Sequence, residues 1–483
     1  MTVYSPDSDL DLTVPRLRAL YDSGRATPAD IMNIVRRRAV ESAEYNIWID
    51  LPGPHIWQPY LERLHKINPK SLPLYGIPFA IKDNIDLDRV TTTAGCPDYA
   101  YEPAQSAYAV ELLIAAGAIP VGKTNLDQFA TGLVGTRSPY GETHNSVNSD
   151  FISGGSSSGS AVAVAMGQAS FALGTDTAGS GRVPAAFNQL LGLKPSKGLV
   201  STRGIVPACR TQDCVSVFAS GVEDLATVLQ CLLLEDDQQP SSFQLNRERE
   251  SLADQLVSPA HAEESFTVGI PRQKQLGFFG HGNYAARFAR VTEYIEAAGG
   301  QCREIHAEPF LDAATLLYEG PWVTERYMVV ADELENSPDA LLPEIRKVIQ
   351  GGRALSAADM FTALYRLQEL KAAADRQLSG VDCILMPTTG GIFTIDEVRE
   401  NPIQLNSELG RYTNFMNLLD YAAIALPADN PNSGLPFGIT LFGLRGTEAT
   451  LLQIARRYLS QNSIVMPAAG TAGLNSLKQV SGV

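Results

Sequence analysis

Residues 154–167 read Gly154-Gly155-Ser156-Ser157-Ser158-Gly159-Ser160-Ala161-Val162-Ala163-Val164-Ala165-Met166-Gly167, a glycine-serine loop running straight into small apolar residues. The composition predicts a helix over 158–167 that opens directly off the loop. A Gly-Ser loop standing alone is ordinarily a flexible connector. Two other segments change that reading. Gly174-Thr175-Asp176-Thr177-Ala178-Gly179-Ser180-Gly181-Arg182 is a second loop of small residues, and Ile77-Pro78-Phe79-Ala80-Ile81 is an apolar run closed by a single lysine, Lys82.

Working outward, Thr27-Pro28-Ala29-Asp30 has the hydroxyl, proline and acid of a helix start, which predicts a helix over 28–43. Residues 76–86 read as a buried strand, 106–116 as an apolar helix ending at Gly117, and 118–122 as a strand. Ser356-Ala357-Ala358-Asp359 caps a helix to about Leu378, and Cys383-Ile384-Leu385-Met386-Pro387 is a strand stopped by proline. Helix and strand alternate throughout, so the expected fold is α/β, with a central mixed β-sheet covered by helices on both faces. Residues 236–264, rich in Asp, Gln, Ser, Glu and Pro, read as a connection, interrupted at most by helix, between parts 1–235 and 265–465, and 466–483 as a weakly ordered tail.

Lys and Arg number 38 against 53 Asp and Glu, a net charge of -15 in 483 residues. Such a field repels phosphate backbones and anionic lipid, so neither nucleic acid nor membrane is an expected partner. No apolar run reaches the ~18 residues of a membrane span, and residues 1–15 lack the basic-then-apolar pattern of a secretory signal, so the expected location is cytoplasmic. The six cysteines and six histidines show no metal-ligand spacing. The thiols are expected to be free and mostly buried, and no metal is expected.

Two motifs are tempting. Residues 117–124 fit the phosphate-loop pattern GxxxxGK[ST] letter for letter, but a helix precedes Gly117, the middle is strand-like, and Pro120 removes an N–H donor. Gly155-Ser156-Ser157-Ser158-Gly159 fits GxSxG with Ser157 as nucleophile, but the preceding 148–153 make a weak strand, and nothing around His261, His281 or His306 marks a catalytic partner.

The second loop offers what those motifs lack. Its small residues let backbone N–H groups converge on a reacting carbonyl, with Ser180 where a nucleophile belongs. A serine hydroxyl needs a base within hydrogen-bond reach. Lys82 serves only if neutral near pH 7, which requires a fall of about three units from its usual value near 10.4, and burial at a strand end is the physical route. The residues alone leave open a surface lysine paired with Asp83.

Residues 154–182, Lys82 and the Gly-Leu-Lys-Pro run at 192–195 together resemble the amidase signature family. The resemblance implies a Ser-Ser-Lys triad with Ser180 as nucleophile, Ser156 as bridging serine and Lys82 as base. It implies an oxyanion hole from the N–H groups of Thr177, Ala178, Gly179 and Ser180, and a cis peptide bond between Gly155 and Ser156. The implied chemistry needs no metal or organic cofactor.

Within the family, Gly-Thr-Arg-Ser-Pro-Tyr-Gly at 135–141, Arg182-Val183-Pro184-Ala185-Ala186-Phe187-Asn188, residues 201–210 and Tyr318-Glu319-Gly320-Pro321-Trp322-Val323-Thr324-Glu325-Arg326-Tyr327 are similar to the allophanate hydrolase branch, over roughly residues 10–465. This implies allophanate, a urea-like amide bearing a carboxylate, as substrate, with Arg326 gripping the anion, a hydroxyl from Tyr318 and a backbone contact at Gly132. Pro321 suits the first turn of a helix carrying Arg326, with Tyr318 at its entry. Longer branch members have an extra C-terminal domain that does not appear here, and a homodimer is the family expectation. Taken alone, the residues around Arg326 favour a surface pair with Glu325 or Glu319, and the family resemblance reverses that preference. The alternatives are another amidase signature amidohydrolase, the glutaminase subunit of a tRNA-dependent amidotransferase, an inactive amidase-fold scaffold and a nucleotide-binding protein.

Overall fold

The computed structural model describes residues 10–238, 246–257, 265–430, 434–464 and 466. Their strands are β1 (Trp48–Asp50), β2 (Pro78–Lys82), β3 (Ile119–Thr124), β4 (Phe171–Asp176), β5 (Leu191–Lys194), β6 (Cys214–Ala219), β7 (Phe266–Pro271), β8 (Gly300–Ile305), β9 (Cys383–Pro387), β10 (Tyr421–Pro427) and β11 (Gly438–Leu444). All eleven join one sheet in the order β1-β3-β2-β4-β6-β5-β10-β11-β9-β7-β8. Two parallel blocks, β3-β2-β4 and β9-β7-β8, are separated by an antiparallel run from β4 to β9, so the sheet is mixed as expected. Strands from before and after residues 236–264 meet where β5 pairs with β10, Lys194 opposite Ala423. The segment 236–264 itself carries a helix, Asn246–Val257. The expected tail at 466–483 falls outside the described residues except Met466.

Both faces of the sheet are covered because successive residues of a strand point to opposite sides. In β10, Ala422, Ile424 and Leu426 enter a core shared with the helices Val222–Leu232 and Glu448–Gln461. Tyr421 and Ala423 enter another, with Phe310 and Ala313 of the helix Glu308–Glu319 and Leu370 of the helix Ala357–Gln377. In β2 and β4 the split is between Phe79, Ile81, Phe171 and Leu173 on one side and Ala80 and Ala172 on the other, the latter under the helix Ser158–Ala165. A strand buried on both faces reads as a continuous apolar run.

The capped helices form as expected, Pro28–Glu41 and Ala357–Gln377, each with a reciprocal box in which Thr27 or Ser356 accepts from the N–H of Asp30 or Asp359. The strand expected over 76–86 ends sooner, at Lys82, because the chain turns there and Ile85 N–H donates to the Lys82 carbonyl at 2.9 Å. Residues 117–124 are mostly strand β3, and Lys123 is wholly buried in an ion pair with Asp83 at 3.1 Å. That is not how a phosphate loop presents its lysine.

All eight residues of the helix Ser158–Ala165 are buried. Gly159 is what lets it sit so deep: a Cβ there would lie 2.2 Å from the Ile47 carbonyl oxygen and 2.6 Å from Asn125 N. Alanine is the better helix former by about 1 kcal/mol. Gly159→Ala should nonetheless lower the thermal midpoint, since overpacking against backbone costs about 1–3 kcal/mol. A midpoint equal to or above wild type would contradict this packing.

Candidate active site

β2 and β4 run parallel side by side, Ile81 opposite Leu173, so their carboxyl ends open at the same edge. Lys82 is the last residue of β2, and Thr175 and Asp176 end β4. The Gly-Ser loop enters between them at the start of the helix Ser158–Ala165. Lys82 Nζ donates to Ser156 Oγ at 2.8 Å and to Thr175 Oγ1 at 2.8 Å. Lys82 is fully buried and its Asp83 neighbour belongs to Lys123, so the surface pair is replaced by an internal amine. Burial pushes the Lys82 amine down to about 7; the charges of Asp127, Asp213 and Asp176 oppose this, and Arg326 adds to it.

The Gly155–Ser156 peptide is cis. The loop is docked by Gly155 N–H donating to the Leu133 carbonyl at 2.9 Å and by Asp127 N–H donating to the Ser156 carbonyl at 3.1 Å. The Asp127 carboxylate accepts from the N–H groups of Val134, Gly135 and Arg137 at 3.0–3.2 Å. A Cβ on Gly155 would lie 2.1 Å from Asp127 Oδ2, so the approach requires glycine. Ser157, the GxSxG serine, instead donates to the Thr175 carbonyl at 3.1 Å and ties the helix to β4.

The second loop is held by a buried pair that no local pattern in the sequence announces. Arg182 Nε and Nη2 donate to the two oxygens of Asp176, both at 2.9 Å, with neither side chain exposed. Burial alone would raise the Asp176 carboxyl, but Arg182 outweighs it and holds the group below its usual range. The same carboxylate accepts from Gly179 N–H at 3.0 Å and Gly181 N–H at 2.9 Å. This corrects one expectation: the Gly179 N–H is already engaged and is not free for an oxyanion. Those of Thr177, Ala178 and Ser180 have no acceptor among the described residues. Ser180 lies on this loop, 2% exposed.

Arg326 is buried on the helix Val323–Val329. Its Nη1 donates to Thr131 Oγ1 at 3.0 Å and its Nη2 to Tyr318 Oη at 3.3 Å, and the guanidinium lies 5.2 Å from the Tyr318 ring centroid. Its Nη1 also donates to the Ala130 carbonyl at 3.4 Å, its Nε has no partner, and no carboxylate pairs with it among the described residues. The expected surface pair with Glu325 does not form, because Glu325 turns away to accept from Thr211 Oγ1 at 2.6 Å. Tyr318 stands near the end of the preceding helix, Glu308–Glu319, not at the entry of the Arg326 helix; Gly320 caps that first helix, and Pro321 precedes the N-cap of the second, Trp322. Gly132 is buried against Asp127, next to the Thr131 that Arg326 touches. Four of the six free cysteines are buried, and the described residues contain no cluster of His, Cys, Asp and Glu able to hold a metal.

The amidase family model matches residues 50–452. Urea amidolyase from Saccharomyces cerevisiae is 42% identical over 448 residues, 92% of this chain but 23% of the relative's own length. The chain therefore spans about a quarter of that relative. A glutamyl-tRNA(Gln) amidotransferase subunit from Treponema pallidum is 33% identical over 80% of this chain and 82% of its own. Among solved structures, selenomethionine-substituted allophanate hydrolase from Kluyveromyces lactis superposes with a TM-score of 0.86 at 37% identity, covering 95% of this chain and 74% of that one. With a match over most of its length, and with the loops and lysine of the signature drawn together at one sheet edge, the chain belongs to the amidase family.

Proposed function

We propose that this chain is an allophanate hydrolase that removes the terminal amide nitrogen of allophanate as ammonia. The observation that carries the substrate is Arg326, a buried guanidinium without a carboxylate partner among the described residues, beside an amidase centre. A fixed cation of this kind suits a small amide that carries its own carboxylate. The resemblance to yeast urea amidolyase and to Kluyveromyces lactis allophanate hydrolase supports the same choice.

In this reading neutral Lys82 draws the proton of Ser156, Ser156 draws that of Ser180, and Ser180 Oγ attacks the terminal carbonyl. The N–H groups of Thr177, Ala178 and Ser180 receive the oxyanion. Collapse returns the proton to the leaving nitrogen, ammonia departs, and water hydrolyses the acyl-enzyme to a dicarboxylated product. Arg326, with Tyr318 and the backbone at Gly132, holds the substrate carboxylate. Homodimer formation, through the family resemblance, and a cytoplasmic location belong to the same reading. No helix among the described residues is long and apolar enough to cross a membrane.

The base must be neutral to work, so kcat/KM should fall as pH drops through a value near 7, the point to which burial lowers Lys82. Lys82→Ala should cost ~10³-fold or more without unfolding the chain, in line with loss of a general base. Retention of most activity would remove the base assignment.

Ammonia release from allophanate, malonamate, glutamine and simple amides, compared with Ser180→Ala, tests the substrate. Turnover of glutamine without turnover of allophanate would point to the glutaminase of a tRNA-dependent amidotransferase instead. Arg326→Ala should reduce kcat/KM for allophanate by ~10²-fold, the scale of a lost charge-assisted contact, and affect an uncharged amide far less. Equal losses on both would argue against carboxylate binding by Arg326.

A further inference from the structure

Glu325 and Arg326 are neighbours on one short helix, yet their side chains serve different segments. Glu325 accepts from the Cys209 thiol at 2.7 Å, from Thr211 Oγ1 at 2.6 Å and from Thr211 N–H at 3.2 Å. Burial first, then the charge of Glu325, raises the Cys209 thiol, keeping it protonated as a donor. At the other end of the same loop, Asp213 accepts from the N–H groups of Ala208 at 2.9 Å and Cys209 at 3.1 Å, and from Thr177 Oγ1 at 2.5 Å. Thr177 opens the loop that carries Ser180.

Two further observations tie the same three segments. Ala178, Cys209 and Trp322 pack in one small apolar cluster, joining the Ser180 loop, residues 208–213 and the start of the Arg326 helix. Asn417 Nδ2 donates to the carbonyls of both Asp176 and Gln212, at 2.7 and 2.9 Å, clamping the two loops together.

We infer that residues 208–213 are a coupling element, with Glu325 and Asp213 as positioning residues that transmit the placement of the Arg326 helix to the Thr177 end of the oxyanion-binding loop. Neither has a substrate contact in the proposed mechanism. Seating of the substrate carboxylate on Arg326 and alignment of the N–H donors around Ser180 are thereby one mechanical unit. The inference rests on the roles proposed above for Ser180 and Arg326, and gives Glu325 a purpose that its neighbour's ion chemistry does not supply.

The test is steady-state kinetics of Glu325→Ala, Glu325→Gln, Thr177→Val and the Glu325→Ala/Thr177→Val double variant, on allophanate and on an uncharged amide. A residue that only steadied Arg326 would raise KM for allophanate and leave kcat unchanged on both substrates. Coupling instead predicts that Glu325→Ala lowers kcat on both by ~10-fold, a fraction of the loss when an oxyanion donor is deleted. Thr177→Val should give a similar fall, the double variant little more than either single one, and Glu325→Gln, which keeps one acceptor oxygen, should recover most of kcat. Unchanged kcat in Glu325→Ala, or losses that multiply in the double variant, would overturn the inference. If Glu325→Ala does not give a wild-type melting transition, Thr211→Val, which removes the hydroxyl that donates to Glu325, replaces it in the cycle under the same criteria. Loss of the allophanate assignment would show as absent allophanate turnover in wild type, leaving the uncharged-amide arm to decide the coupling.

Discussion

A lysine amine enclosed in protein cannot keep its charge cheaply, and the site is arranged around that constraint. Lys82 closes a strand buried on both faces, where burial lowers it to about 7. Three carboxylates, Asp127, Asp213 and Asp176, pull against burial, so the amine is poised near neutrality and not discharged outright. Its two hydrogen bonds, to Ser156 and Thr175, are the geometric counterpart: they aim the lone amine at one loop while anchoring it to the neighbouring strand.

Each of those carboxylates also has a structural task, which explains how acids survive in the interior. Asp127 is spent on three backbone N–H groups and shapes the pocket into which Gly155 fits. Asp176 is paired to Arg182 and caps two N–H groups of the Ser180 loop. Asp213 gathers Ala208, Cys209 and Thr177. A buried pair of this kind contributes little net stability, but removing one partner strands a charge, so the loops are held in a single arrangement. Local order near Ser180 comes from such bonds and not from regular secondary structure.

Much of this is legible in the chain because it is local. Capping boxes at Thr27 and Ser356, the apolar run ending at Lys82 and the Pro-stopped strand at 383–387 declare themselves within a few residues. The roles of Asp127 and Arg182 are not legible: Asp127 acts on N–H groups seven to ten positions away, beyond any local period. Arg182 closes the Ser180 loop, and an i, i+6 pairing with Asp176 matches no helix or strand period. The small size of Gly179 suggests an oxyanion donor, whereas the turn directs its N–H toward Asp176.

By itself the sequence determined the α/β alternation, the family resemblance and the residue types of the chemistry, since these depend on periodicity, caps and motif spacing. The tertiary structure alone decided which groups meet. Lys82 and Ser156 are 74 positions apart, and only parallel pairing of β2 with β4 brings the first beside the loop of the second. Whether Arg326 lay on a surface beside Glu325 or inside beside Tyr318 was likewise undecidable from neighbours in the chain. Helix packing settles it, because burial removes the water that would otherwise satisfy the guanidinium and leaves its charge directed inward.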